Sequence, residues 1–121
     1  MTGQETYEAA GELLRALAAP IRIAIVIELS RGDRCVHELV DALGVAQPLV
    51  SQHLRVLRGA GVVSGSRRGR EIAYSLVDEH VAHIVADAVS HARELRSVAR
   101  RGGEPTAGRA VSAARAQGAP V

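Results

Sequence analysis

The chain contains no phenylalanine, no tryptophan and no lysine, and only one cysteine. Without Phe or Trp, the core has to be built from Leu, Val, Ile and Ala, a set that suits helix packing. The single thiol, Cys35, excludes an intrachain disulfide and any all-cysteine metal site within one chain. No apolar run approaches the roughly 18 residues of a membrane-spanning helix. The opening MTGQETYEAAGELL has neither the basic nor the apolar stretch of a secretion signal. The sequence therefore reads as cytoplasmic, with no membrane partner. All 15 basic residues are arginine. Together with the abundance of Ala, Gly and Val, this is what a GC-rich genome produces, so arginine content alone is no sign of phosphate binding.

What is present fits one compact domain of 121 residues, 47% of them hydrophobic. The net charge is +2, but Arg100, Arg101, Arg109 and Arg115 stand near the C-terminus against Glu104. The remainder of the chain is close to neutral, and only local clusters of charge bear on nucleic acid.

Apolar spacing at Ala9, Leu13, Leu14 and Leu17 predicts a helix over about residues 5–18. Pro20 suits the first turn of a second helix running to about Ser30. The β-branched run Ile23, Ile25, Val26, Ile27 favours strand, but Pro20 and the length of the segment tip it to helix. Cys35 to Leu43 reads as a short amphipathic helix ended by Gly44. After a tight turn, a helix from Pro48 to about Arg58 buries Val50, Leu54 and Leu57 and exposes Gln47, Ser51, Gln52 and Arg55. Two alternating segments, 62–66 and 71–76, flank the basic loop Arg67-Arg68-Gly69-Arg70 and predict a hairpin. A last helix covers about 79–97. Residues 101–121 lack apolar periodicity and read as a disordered tail behind a 1–100 domain. The order is mainly α with a small β-hairpin, that of a winged helix-turn-helix.

Asp78, His80, His91 and Glu94 lie in the last helix and at its start, as D-x-H and H-x-x-E. Two imidazoles and two carboxylates form a complete tetrahedral zinc set. At ~1.5 Å rise per residue His80 and His91 are roughly 16 Å apart, whereas ligands of one zinc ion sit about 3–4 Å apart. One helix cannot close the site; two antiparallel copies can. At about 100° per residue, His80, His91, Asp87 and Glu94 share one face, and the apolar Val81, Ile84, Val85, Ala88, Ala92 and Leu95 centre roughly 90° away. A plainer reading makes Asp78 an N-cap and Glu94 part of a solvated face.

LRALAAPIRIAIVIEL, CVHELVDALGVAQPLVSQHLRVLRGAGVV and RRGREIAYSL resemble the second helix, helix-turn-helix and wing of the ArsR/SmtB family of metal-responsive repressors. The resemblance covers roughly Glu12 to Leu95. The last helix is similar to the zinc-sensing branch, and all four ligand positions match. The resemblance implies a homodimer joined through its first and last helices, with Leu13, Leu14, Leu17, Ile84, Ala88 and Leu95 in the seam. It implies release of an inverted-repeat DNA operator when zinc, or alternatively cobalt, nickel or cadmium, binds across the dimer. It also implies no enzymatic activity and no small organic substrate.

In the family the Gln47–Arg58 helix enters the major groove, where Gln52 suits adenine, Arg55 suits guanine or phosphate, and Gln47 and Ser51 add polar contacts. His53 either contacts DNA or packs against the hairpin. Arg67, Arg68 and Arg70 suit phosphate or minor-groove contact. Some members carry a second, thiolate site. Here Cys35 and His37 occupy its positions, but the N-terminal arm has no Cys or His, which favours a core cysteine and a surface histidine. His83, on the ligand side of the last helix, is a further imidazole of unassigned role. Two alternatives stay open: a repressor of this family without a metal response, and a thiol redox switch at Cys35.

Overall fold

The computed structural model describes residues 2–102. Helix α1 (Gly3–Leu17) begins earlier than the apolar spacing predicts, because Thr2 and Glu5 cap it reciprocally. The Thr2 hydroxyl accepts from the Glu5 amide at 3.1 Å, and the Glu5 carboxylate accepts from the Thr2 amide at 3.0 Å. Helix α2 (Pro20–Ser30) carries Pro20 in its first turn, as expected. Its β-branched residues are accommodated because Ile25, Val26 and Leu29 are buried against other elements, so packing outweighs strand propensity.

Strand β1 (Arg34–Cys35) takes the position where the apolar spacing predicts the start of a helix at Cys35. Two residues are too few for periodicity, and only pairing with a distant strand makes them a strand. Helix α3 (Val36–Leu43) follows and ends at Gly44, whose φ of 66° is the left-handed conformation that favours glycine. Helix α4 (Gln47–Gly59) comes next, then β2 (Val63–Arg68), β3 (Glu71–Leu76) and α5 (Glu79–Arg100). Thus Arg67 and Arg68 belong to β2 rather than to a loop, and Gly69-Arg70 alone make the turn, with Gly69 at φ 65°.

The sheet is antiparallel, in the order β1-β3-β2. Arg34 pairs with Tyr74 and Cys35 with Ala73; at the far end Arg68 pairs with Glu71. Gly65 pairs with Tyr74, and a Cβ there would lie 2.8 Å from the Ile72 side chain, so only glycine leaves β3 undisturbed.

The core lies where α2, α3, α4 and the hairpin root meet. Ile25, Val26, Leu39, Val50, Leu57 and Val62 are fully buried. At about 25 cal/mol per Å², each such aliphatic side chain contributes roughly 1.5–3 kcal/mol. Among the described residues no buried side-chain nitrogen or oxygen lacks a partner. The architecture is a winged helix-turn-helix: among the described residues, five helices and a small three-stranded sheet. Among the described residues no helix is long and apolar enough to cross a membrane. The expected tail falls, from residue 103 onward, outside the described residues.

Candidate nucleic-acid interface and metal-ligand residues

Helix α4 stands on Val50, Leu54 and Leu57, all buried, which fixes its axis against the core. Gln47, Gln52 and Arg55 are left exposed and Ser51 half-buried. His53 is engaged elsewhere. Arg22 of α2 places its Nη1 nitrogen 3.2 Å from His53 Nδ1 and donates through Nε to the Ala16 carbonyl at 2.6 Å. An arginine has only donors, so Nδ1 accepts and the imidazole is neutral. Burial, then the Arg22 charge, pull His53 below its ordinary value of 6.5. Its Nδ1 thus ties α4 to α2 and, through Arg22, to the end of α1; only Nε2 remains for another partner.

The wing arginines divide between the two faces of the hairpin. Arg67 pairs with Ile72 on one face, and Arg70 is exposed in the turn. Arg68 points the other way, towards α3, with Nη1 3.6 Å from the Glu38 carboxylate and 3.9 Å from Cys35 Sγ. Alternation along a strand requires this split between neighbours.

Cys35 is 2% exposed and His37 lies at the surface, its Nδ1 2.6 Å from the Glu71 carboxylate. Burial and the nearby Glu71 and Glu38 carboxylates push the Cys35 thiol up, against an opposing pull from Arg68. A buried thiol held protonated is a poor nucleophile and a poor metal ligand, which disfavours both the redox switch and the second metal site. Glu38 accepts from the Cys35 amide at 2.7 Å, and that bond is the main reason its carboxyl lies below the usual range.

Asp78 caps α5: its Oδ1 accepts from the His80 amide at 2.9 Å and lies 3.4 Å from His80 Nδ1. His91 and Glu94 sit three residues apart, nearly four turns further along the same unbroken helix, and both are exposed, as is His83. Among the described residues, no three His, Cys, Asp or Glu side chains of one chain gather at a metal-binding point.

The buried stripe of α5 is narrower than expected, formed by Val81 and Val85 with Val89 partly buried. Ile84, 41% exposed, and Ala88 are not covered; they form an apolar strip between the buried stripe and the histidine face. On α1, Leu14 is 52% exposed, but Leu17 is 5% exposed and belongs to the protomer core, with Leu13 packed beside it. Leu17 therefore leaves the expected seam, because it lies one helical turn after Leu13 on the face of α1 that packs against the core.

A winged helix with an exposed, polar recognition helix defines a DNA-binding regulator. A family model described as "Bacterial regulatory protein, arsR family" matches residues 19–64. The chain is 68% identical over 91 residues, 75% of its length, to the "HTH-type transcriptional repressor SmtB" of Mycobacterium tuberculosis, 67% of which is covered. It is 46% identical over 82 residues, 68% of each protein, to the "HTH-type transcriptional regulator NmtR" of the same organism. Among solved structures it is similar to the homodimeric winged helix-turn-helix DNA-binding domain of Mb0332 from Mycobacterium bovis, a possible ArsR-family regulator. That match has a TM-score of 0.68 and 27% identity, covering 78% of this chain and 92% of that one. The chain belongs to the ArsR family: it is a DNA-binding transcriptional repressor of the ArsR/SmtB type, not an enzyme.

Proposed function

We propose that the protein is a metal-responsive repressor that acts as a homodimer on an inverted-repeat operator and leaves it when zinc, or a similar divalent ion, binds at α5. The observation that carries this reading is the layout of α5. Two exposed ligand pairs stand at opposite ends of one continuous helix, beside an uncovered apolar strip at Ile84 and Ala88. A second antiparallel α5 covers that strip, as an isologous two-fold interface requires, and brings Asp78 and His80 of one protomer to His91 and Glu94 of the other.

The donor set fits zinc: two imidazoles, two carboxylates, all at the surface. Capping does not disqualify Asp78. A carboxylate has two oxygens, and the cap engages Oδ1, leaving Oδ2 for a ligand. A bound divalent ion would supply a cross-link between the two α5 helices. The protein's own residues do the rest. His80 and His91 present their imidazole nitrogens, α5 transmits its orientation to α2 and β3, on which it packs, and α4 carries Gln47, Ser51, Gln52 and Arg55 to the major groove. Arg67 and Arg70 contact phosphates from the wing. Metal and operator then oppose one another by linkage, with a coupling of about 1–3 kcal/mol in either direction.

The test is operator-binding anisotropy titrated with zinc, cobalt, nickel and cadmium. Operator release at stoichiometric metal in the wild type, lost in His80→Ala and in His91→Ala, supports the reading. Release that persists in both variants, or no response to any metal, leaves a repressor of this family without metal sensing.

A further inference from the structure

The tip of the wing is held by helix α3. The last rung of the hairpin before the turn is the pair Arg68↔Glu71, and each member is gripped by one of two consecutive α3 residues. Glu38 lies 3.6 Å from Arg68, and His37 lies 2.6 Å from Glu71. The middle of the wing is fixed separately, through β1 pairing with β3 at Arg34↔Tyr74 and Cys35↔Ala73, two rungs short of the tip. The hairpin is thus anchored twice, at its middle by backbone pairing and at its tip by the side-chain contacts Glu38–Arg68 and His37–Glu71. Beyond Ala73 the hairpin is only two-stranded, an arrangement that is marginally ordered by itself, so the tip contacts set where the turn points.

From this geometry we infer that His37, Glu38, Arg68 and Glu71 form a clasp that sets the angle of the wing against the helix-turn-helix, and that Arg68 is a positioning residue rather than a DNA contact. Arg68 turns its guanidinium to the α3 side, while Arg67 projects from the opposite face and Arg70 from the turn. The clasp aims those two arginines. The Glu38 carboxylate has a double duty, since it also accepts from the Cys35 amide and so caps the helix that holds the wing. The inference rests on wing–DNA contact as proposed above.

Simple electrostatics and the clasp predict opposite signs. Glu38→Gln and Glu71→Gln each remove a negative charge beside the DNA-facing surface, and Glu38→Gln also releases Arg68. If charge alone mattered, both variants would bind operator more tightly. The clasp predicts about twofold to fivefold weaker binding for each, the scale of one exposed ion pair. Glutamine preserves the acceptor at the start of α3, so the helix remains capped and the fold is retained. The two effects also depend on their partners: in an Arg68→Gln background, Glu38→Gln has no further effect, because the pair is already broken.

The measurement is operator affinity by fluorescence anisotropy across a salt series, with Arg70→Ala alongside. Weaker binding by both carboxylate variants, an unchanged salt slope and no further loss in Glu38→Gln/Arg68→Gln support the clasp. Equal or tighter binding by the carboxylate variants, or an additive double variant, overturns it while Arg70→Ala still weakens binding and reduces the salt slope. Wild-type affinity and slope in Arg70→Ala would instead remove wing–DNA contact, and the positioning role with it.

Discussion

The helix-turn-helix and the last helix are built on opposite plans. Helices α3 and α4 are finished within one chain: Leu39, Val50 and Leu57 are wholly buried, and Gly44 closes the turn between them. Helix α5 is longer, yet only Val81 and Val85 are buried, and Ile84, Ala88, His80, His91 and Glu94 face outward. A surface that reads DNA needs a rigid platform, which a single core supplies. A surface that senses metal across two chains has to stay incomplete in each. On the proposed function, rigidity and responsiveness occupy different helices, joined through the packing of α5 on α2 and β3.

The sharpest way to break this contrast is at the platform. Leu57→Ala should lower stability by about 2–5 kcal/mol, a large part of the roughly 5–15 kcal/mol of a whole domain, in denaturant unfolding. A loss below about 1 kcal/mol would mean that α4 does not depend on its own core. On the unfinished side, Ile84→Glu should leave the protomer fold intact by circular dichroism but separate the dimer in sedimentation. Its operator affinity should fall by about tenfold or more, and its unfolding midpoint should lose its dependence on protein concentration. A variant that sediments as the wild type would show that the apolar strip of α5 is not the seam.

A smaller effect separates the two duties of Asp78. Asp78→Asn keeps a good cap, so its stability should stay within a few tenths of a kcal/mol, whereas Asp78→Ala should cost about 1 kcal/mol. Zinc affinity, read by competition with a chelating dye, should fall in both. If only the alanine variant changes, Asp78 is a cap alone.

The smallest effect lies at His53. Its folded pKa is lowered, so below 6.5 the unfolded chain binds the proton more readily than the folded one. The contribution of the neutral ring is fully present above that value and is lost as the pH falls through it. His53→Asn should flatten the stability difference between about pH 5 and 7 in urea unfolding. Parallel profiles for variant and wild type would remove the Arg22–His53 link.

Much of this was legible from residue types. Gly44, Pro48 and the apolar triplet Val50, Leu54, Leu57 define the turn and the recognition helix, because such patterns act within a few residues. Pro20 and segment length read α2 correctly against its strand-like composition. Strand β1 was illegible, since two residues carry no period. The orientation of Arg68 was hidden too, because three arginines within four positions look alike until the strand register assigns them to faces. For His53 the sequence leaves DNA contact and packing against the hairpin open, and nothing local announces an Arg22 thirty-one positions earlier.

The sequence by itself determined the helix-turn-helix, the wing and a donor set that one helix cannot close, since local propensity and the geometry of a single helix are enough for each. The tertiary structure decided which side chains are spoken for. Arg22 holds His53, Glu38 holds Arg68, the core takes Leu17, and Ile84 with Ala88 is left uncovered. These assignments depend on contacts between distant segments, and no periodicity along one segment encodes them.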